Sequence, residues 1–248
     1  MKIARFFKET SPMGRCLVLV GTMILGLIVS SGVVSLLGWT ELSREQGVLS
    51  QMVSQIGCFL MPAVVVALLF YESPDDLLRY KQIPHQARWM LVGILALLLA
   101  LPVSSGLEWL NNQWHWPASM ADMEQQMRAQ GAQMEQTVKE WLMVDGWGKM
   151  VLNLLLIALL PAVCEEAFFR GCLQQIVTGW SGRKHLAVIL TAVIFSLAHG
   201  NLFAFLPRFA LGVLLGYLFL YSKSLWVNIS AHFVNNAILV VWYFIQNS

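Results

Sequence analysis

Long hydrophobic runs separated by short polar segments dominate this chain of 248 residues. A bilayer core is about 30 Å thick and is crossed by roughly 20 apolar residues in a helix, so each run predicts a membrane-spanning helix. Seven spans are predicted, at residues 16–37, 52–71, 88–108, 148–178, 186–202, 206–222 and 225–246. The pattern therefore predicts an all-α fold, a polytopic transmembrane helix bundle of seven to eight spans.

The fourth run is too long for one straight span and carries Pro161 near its middle. It predicts either one kinked helix or two shorter helices. The positive-inside rule favours one helix and a cytoplasmic N-terminus, because splitting the run would move Arg183 and Lys184 to the outer side. In this topology the other cytoplasmic Lys and Arg residues are Lys2, Arg5, Lys8, Arg15, Arg79, Lys81, Arg88 and Lys223.

The longest loop, residues 109–147, contains a second kind of pattern. Ser119 is a candidate N-cap, and apolar residues recur at helical spacing at Met120, Met123, Met127, Met134, Val138, Trp141 and Leu142. This pattern predicts an amphipathic helix, broken or bent near Gly131, on the outer membrane surface or over one end of the bundle. The alternative is a plain linker.

Composition supports the membrane assignment, because 57% of the residues are hydrophobic and only 12% are charged. A soluble domain typically has about 25% charged residues. The net charge of +2 gives no indication of nucleic-acid binding. The first apolar run is longer than the hydrophobic region of a signal peptide, which predicts an uncleaved first helix. The four cysteines form no metal-binding spacing and are interpreted as small core residues.

Ionisable residues inside predicted spans are rare and usually mark function. Here they are Glu165, Glu166, Arg170, His199 and His232. All lie in the last hundred residues, whereas the first three spans contain no comparable group. We therefore predict one integral membrane unit in which residues 1–146 form a scaffold with the amphipathic helix and residues 147–248 form a catalytic core.

Helical spacing separates the two adjacent glutamates. Glu166 and Arg170 are four residues apart and can form a buried ion pair, which alone would be a structural clamp. Glu165 projects about 100° away and has no local cationic partner, as expected for a general base. His232 and Asn236 also share one helix face. The glutamate, two histidines and asparagine would suit water activation and oxyanion stabilisation.

Three motifs in this region resemble those of the CPBP intramembrane proteases, which include the type II CAAX prenyl endopeptidases and bacteriocin-related proteins. "EEAFFRG" resembles the family's EExxxR motif, "FSLAH" its FxxxH motif and "HFVNN" its HxxxN motif. The resemblance covers residues 147–246. It implies that Glu165 and His199 activate a water, that His232 and Asn236 form the oxyanion hole, and that Glu166 and Arg170 support them.

Zinc held by Glu165, His199 and His232 is the alternative mechanism, because these side chains are also zinc ligands. The sequence lacks H-E-x-x-H and offers one good ligand per helix, so we favour a glutamate-dependent mechanism without cofactor. A cysteine protease using Cys164 is disfavoured, since no base is placed beside this residue.

The sequence thus predicts an intramembrane endopeptidase whose partners are the lipid bilayer and a peptide or membrane-protein substrate, in a bacterial inner membrane. A non-catalytic membrane adaptor or bacteriocin-immunity-type protein is the main alternative. A proton-coupled transporter is a third, although the halves show no inverted repeat.

Overall fold

Eight helices run through the part of the chain that the computed structural model describes, which is residues 10–39, 43–71, 79 and 83–247. They are α1 (Pro12–Leu36), α2 (Arg44–Phe70), α3 (Gln86–Asn112), α4 (Ala121–Leu142), α5 (Trp147–Ser181), α6 (Lys184–Ala198), α7 (Phe205–Ser222) and α8 (Leu225–Asn247). The basic residues Lys2, Arg5, Lys8 and Lys81, used to orient the chain, lie outside the described residues. The all-α prediction is confirmed.

Six of these helices are long and apolar enough to cross a membrane, and the chain is an integral multi-pass membrane protein. The predicted single fourth span is confirmed, since α5 runs unbroken from Trp147 to Ser181. The predicted span 186–202 is wrong at its C-terminal end, because α6 stops at Ala198. Gly200 has φ +72°, a left-handed conformation that ends helices and that glycine adopts without steric cost.

Small residues bring α1 and α2 into backbone contact. A Cβ added to Gly26 would lie 1.9 Å from the carbonyl oxygen of Gly57, so neither position tolerates a larger side chain without movement. Ser30 Oγ, one turn along α1, donates to the carbonyl of Val53 at 3.2 Å. Such approaches are typical of transmembrane helix pairs. The contact fixes α2, which in turn packs against α5.

Aromatic rings form the centre of the main core, between α2, α5 and α6. Phe59 of α2 packs edge-on against Phe168 of α5, with ring centroids 5.4 Å apart. Phe169 makes a similar contact with Phe195 of α6 at 5.1 Å. Edge-to-face pairs add stability beyond the burial of their area. These rings hold α5 and α6 together beside the polar residues of the interior.

The amphipathic helix predicted in the long loop exists as α4, but two details of the prediction are wrong. Ser119 does not cap it, because a 3₁₀ turn at Ala118–Met120 draws Ser119 into the helical conformation and makes Met120 the N-cap residue. The helix is also unbroken at Gly131. Glycine is needed there for a close approach, since a Cβ would lie 2.9 Å from the Asn201 side chain.

The face that α4 buries consists of Glu124, Gly131 and, at its C-terminal end, Leu142, whereas much of its apolar stripe is exposed. Met123, Met134 and Val138 are exposed. The helix lies against the link between α6 and α7 and against the first turn of α2, where Arg44 NH2 donates to the carbonyl of Trp141 at 2.7 Å. It therefore covers one end of the bundle, with apolar side chains left free for lipid.

Glu124 fastens α4 to the segment before it. Its carboxylate accepts hydrogen bonds from the Trp116 backbone N–H at 2.7 Å, from Arg128 Nε at 2.8 Å and from His115 Nδ1 at 3.0 Å. The Trp116 N–H first, and then Arg128, lower the pKa of Glu124 from the ordinary 4.5 to about 2. Arg128 in turn lies over the ring of Phe203, 3.8 Å from its centroid. Glu124 thus secures the contact between α4 and the α6–α7 link.

This lowered pKa predicts a pH dependence of stability. Glu124 binds its proton more weakly in the folded than in the unfolded protein, so its contribution is present above pH 4.5 and is lost as the pH falls toward 2. The unfolding midpoint of the solubilised protein, measured from pH 7 to pH 3, is expected to fall less in Glu124→Gln than in the wild type. Glu140→Gln, on the exposed side of α4, is the control and should follow the wild type. Parallel curves for Glu124→Gln and the wild type would contradict the prediction.

Candidate active site

Three of the residues singled out in the sequence meet inside the bundle: Glu165 of α5, His199 at the end of α6 and His232 of α8. Glu165 Oε2 lies 3.9 Å from Nε2 of His199 and 3.9 Å from Nε2 of His232. This oxygen is buried and has no hydrogen-bond partner among the described residues. Two hydrogen bonds of about 2.8 Å that meet at one water oxygen can join atoms at this spacing. The spacing of these atoms is therefore compatible with one water that bridges Glu165 and a histidine.

The other carboxylate oxygen of Glu165 is held by the N-terminal half of the chain. Gln55 Nε2 of α2 donates to Glu165 Oε1 at 3.1 Å, and both side chains are buried. The amide orients the carboxylate without adding a charge, so Oε2 is directed toward the histidines. Sequence reasoning missed Gln55 because it considered ionisable residues alone. The signal was a buried amide in the second apolar run, within the segment predicted to be scaffold.

His199 is positioned by the way in which α6 ends. The last carbonyls of a helix have no partner within the helix, and His199 Nδ1 donates to one of them, that of Phe195, at 2.7 Å. Gly200 turns the chain away directly afterwards. A carbonyl oxygen only accepts, so Nδ1 carries the proton and the neutral ring presents a lone pair at Nε2. The side chain is 30% exposed, which makes it the open side of the site.

His232 is oriented by the second glutamate. Its Nδ1 lies 2.9 Å from Glu166 Oε1, and the same carboxylate accepts from Arg170 NH1 at 2.7 Å and from Asn228 Nδ2 at 3.1 Å. The predicted ion pair of Glu166 with Arg170 is therefore present, and the structure adds His232 to it. Asn228 was missed, although it lies four residues before His232 on the same helix face. It is 0% exposed and links Glu166 to the Leu215 carbonyl of α7.

Arg170 is enclosed on every side. Its NH2 donates to the Gly212 carbonyl of α7 at 3.1 Å, and its guanidinium lies over the ring of Phe195, 4.7 Å from the centroid. A buried charge is tolerated only when it is paired and hydrogen-bonded. Arg170 thereby ties α5 to α6 and α7 and neutralises Glu166.

Asn236 does not join this group directly. It lies on the same face of α8 as His232, one turn further along, but Nδ2 donates to the Ala158 carbonyl of α5 at 3.4 Å. Asn235 Nδ2 donates to Asn236 Oδ1 at 3.3 Å. Both bonds are long for amides, so the Asn236 side chain is held loosely beside the site.

Two π-helical segments in α5 flank the glutamates. Leu154–Leu159 precedes Pro161, and Ala167–Leu173 follows Glu166 directly. A π segment rotates the side chains that follow it relative to a regular helix, and such segments occur often at functional sites. Proline cannot donate a backbone hydrogen bond, which agrees with the wider turn before it. The regular segment Leu160–Glu166 carries both carboxylates between these two irregularities.

The fold and the site together indicate a class of protein. A buried carboxylate and two histidines, held by a second layer of charged and amide groups within a bundle of membrane-spanning helices, are an arrangement suited to hydrolysis inside a membrane.

Residues 147–238 match the model of the family described as type II CAAX prenyl endopeptidase Rce1-like, in agreement with the resemblance that the three motifs carry. The matched range contains every motif residue from Glu165 to Asn236. At the family level the match supports an intramembrane endopeptidase of the CAAX type. No curated protein and no solved structure matches the chain.

Arg170→Met tests the supporting layer, because it leaves the carboxylate of Glu166 buried without its cation. Breaking a buried pair costs about 3–5 kcal/mol, and we expect the free energy of unfolding in detergent to fall by about that amount. Denaturant titration measures it. Lys149→Met, at the exposed start of α5, is the control and should change little.

The double variant Glu166→Leu/Arg170→Met removes both charges and is expected to recover part of the loss. A double variant at least as unstable as the sum of its single variants would contradict the proposed neutralisation.

Proposed function

We propose that the protein hydrolyses a peptide bond of a membrane-associated peptide or protein with a water molecule activated by Glu165 and His199. The observation that carries the proposal is the buried Glu165 Oε2, which has no hydrogen-bond partner among the described residues and faces two imidazole nitrogens at 3.9 Å. A carboxylate kept free of other donors is available to take a proton from water. The family match supports the same reaction class.

In each histidine, Nδ1 forms a hydrogen bond with a group other than Glu165. His199 donates to the Phe195 carbonyl and His232 to the Glu166 carboxylate, so in their neutral forms both direct an Nε2 lone pair toward Glu165. A water between them would donate one hydrogen bond to Glu165 and the other to His199. Its oxygen lone pair would then be directed away from these acceptors, toward the open side of the site.

In the proposed reaction, Glu165 removes a proton from this water as the water oxygen attacks the scissile carbonyl carbon. The tetrahedral intermediate carries the negative charge on the former carbonyl oxygen. Glu165, now protonated, delivers its proton to the leaving nitrogen, and the C–N bond breaks. The products are a carboxylic acid and an amine, and Glu165 is again ionised. No covalent enzyme intermediate is required.

The oxyanion would be stabilised by His232 and Asn236. For this role His232 would donate from Nε2, which lies 3.9 Å from Glu165 Oε2, while Nδ1 stays bonded to Glu166. Asn236 would contribute its amide by giving up the 3.4 Å bond to the Ala158 carbonyl. Removal of one such donor costs about 3–4 kcal/mol in other proteases.

We propose that this chemistry proceeds without a metal ion, with zinc as the alternative. The alternative would use Glu165, His199 and His232 as ligands. In the described part of the chain, no group of three His, Cys, Asp or Glu side chains has the spacing of a metal site. A zinc site would place the ligand atoms about 2.0–2.2 Å from the ion.

The proposed setting is a bacterial inner membrane with the N-terminus in the cytoplasm. In that orientation α4 would lie on the outer side and would cover the end of the bundle at which α6 ends and α7 begins.

Substitution of Glu165 tests the proposed chemistry. The substrates are a pool of synthetic decapeptides with free carboxyl termini and four randomised C-terminal positions, and half of them carry a farnesylated cysteine. The pool is incubated with the protein in liposomes, and mass spectrometry identifies the products. Glu165→Gln should lower the rate by about 10²–10⁴-fold, because the amide cannot take a proton. His199→Gln should also lower it. Glu140→Gln is the control and should retain activity.

Unchanged cleavage by both Glu165→Gln and His199→Gln would refute the mechanism. The adaptor function would be favoured by two results together: the wild type cleaves no member of the pool, and cells that carry Glu165→Gln have the phenotype of wild-type cells rather than that of cells lacking the gene. The difference between the farnesylated and unmodified halves of the pool reports whether the substrate needs a prenyl group.

Metal removal is the second test. Full activity is expected to remain after dialysis against a strong chelator, since the proposed proton acceptor is a carboxylate rather than a metal-bound water. Activity lost on dialysis and restored by zinc would assign the zinc mechanism. Metal content measured by mass spectrometry confirms that removal was complete.

A further inference from the structure

Arg208 differs from the other cations near the ends of spans. Its position in the first turn of α7 predicts a side chain that extends to the membrane surface, and the comparable Lys149 and Lys223 are indeed exposed. Arg208 NH1, in contrast, is buried and has no hydrogen-bond partner among the described residues. The Arg208 side chain as a whole is partly buried. The fully buried Arg170 also has one unpartnered nitrogen among the described residues, Nε, but its charge is paired with the carboxylate of Glu166.

The packing of α6 against α7 places Arg208 at the level of the active site. These helices are antiparallel: Gly216 packs against Val188, and Gly212, one turn earlier, packs against Ala192 and Phe195. Arg208 lies one further turn earlier on this face of α7, and one further turn along α6 from Phe195 is His199. Arg208 is therefore at the level where α6 ends and where the site is open.

The charges around Arg208 leave it without a direct partner. The carboxylates within electrostatic range of Arg208 are those of the exposed Glu135 and Glu108 and, with a smaller effect, that of Glu165 in the active site. Arg208 also affects His199 electrostatically. In the described part of the chain, none of these carboxylates forms an ion pair with it. Guanidinium groups bind carboxylates through two parallel hydrogen bonds, and a buried unpaired donor is costly, so a ligand that brings a carboxylate would be stabilised there.

We propose that Arg208 binds a carboxylate of the peptide substrate and so places the scissile bond at Glu165. The carboxylate belongs either to the C-terminus of the substrate or to an Asp or Glu side chain near the cleavage point. The inference deepens the proposed hydrolysis and rests on it for its kinetic test. Arg208 then determines specificity: it selects and positions the substrate and does not take part in proton transfer.

Binding can be measured without hydrolysis. The unfolding temperature of the wild-type protein in detergent is recorded with two forms of the farnesylated peptide pool. In one form the C-termini are free acids, and in the other they are amidated. Two further pools carry Asp or Asn at one fixed position. Free acids should stabilise the wild type more than amides if the terminal carboxylate binds, and Asp peptides more than Asn peptides if a side chain does.

Arg208→Gln is expected to abolish this difference, and Arg208→Lys to retain part of it, because lysine keeps the charge but not the bidentate geometry. Lys149→Gln removes a positive charge from the exposed start of α5 and should behave as the wild type. Equal stabilisation by acid and amide pools, and by Asp and Asn pools, would overturn the proposal.

Kinetics separate anchoring from a purely electrostatic or structural role. For the cleaved peptides, Arg208→Gln should raise KM about 10-fold or more for the carboxylate form while kcat changes less than about 3-fold, as expected for loss of ground-state binding. If kcat fell while the ratio of KM values for the acid and amide peptides stayed unchanged, Arg208 would act through the electrostatics of Glu165. That result would refute the proposal that it binds the substrate carboxylate. Arg208-dependent stabilisation without any cleavage would support the anchor and refute the proposed hydrolysis.

Discussion

The carboxylate of Glu166 receives hydrogen bonds from a guanidinium, an imidazole and an amide in a part of the bundle where both it and Arg170 are 0% exposed. Burial of these charges is expensive, and only the complete set of partners compensates for it. The partners come from α5 and α8, and Arg170 extends the network to the Gly212 carbonyl of α7. Relative positions of three helices are thereby set by one carboxylate, and with them the orientation of His232.

Glu165 is adjacent in sequence and has nearly opposite surroundings. Gln55 orients one of its oxygens, and the other is left free toward His199 and His232. Among the described residues, the neutral amide of Gln55 is the donor that keeps this carboxylate in place, and it does so without pairing it with a cation. The two glutamates therefore differ in role: Glu166 stabilises the fold around the histidines, and Glu165 is free to exchange a proton with water. The two π segments of α5 separate this short stretch from the regular helix on either side.

The surface helix α4 extends this organisation to the end of the bundle. Its buried Glu124 and Gly131 contact the neighbouring loop and Asn201, two residues beyond His199. An exposed apolar stripe remains on its other side. The position of His199 thus depends on the helix end at Gly200 and on the packing of α4 over the link that follows.

Hydrophobic periodicity by itself determined the all-α fold, the approximate bounds of six spans, the single long α5 and the existence of α4, because burial in lipid requires long apolar helices. Spacing within one helix also determined the pairing of Glu166 with Arg170, since residues four apart meet wherever the helix lies. Contacts between helices were decided only by the tertiary structure. The contacts of Gln55 with Glu165 and of Asn228 with Glu166 depend on which faces of distant segments pack together, and no local pattern encodes this. The same holds for the burial of Arg208 NH1, which has no hydrogen-bond partner among the described residues. The cap at Ser119 was mispredicted because a 3₁₀ turn draws this residue into the helical conformation, and of the break or bend predicted near Gly131 the break is absent.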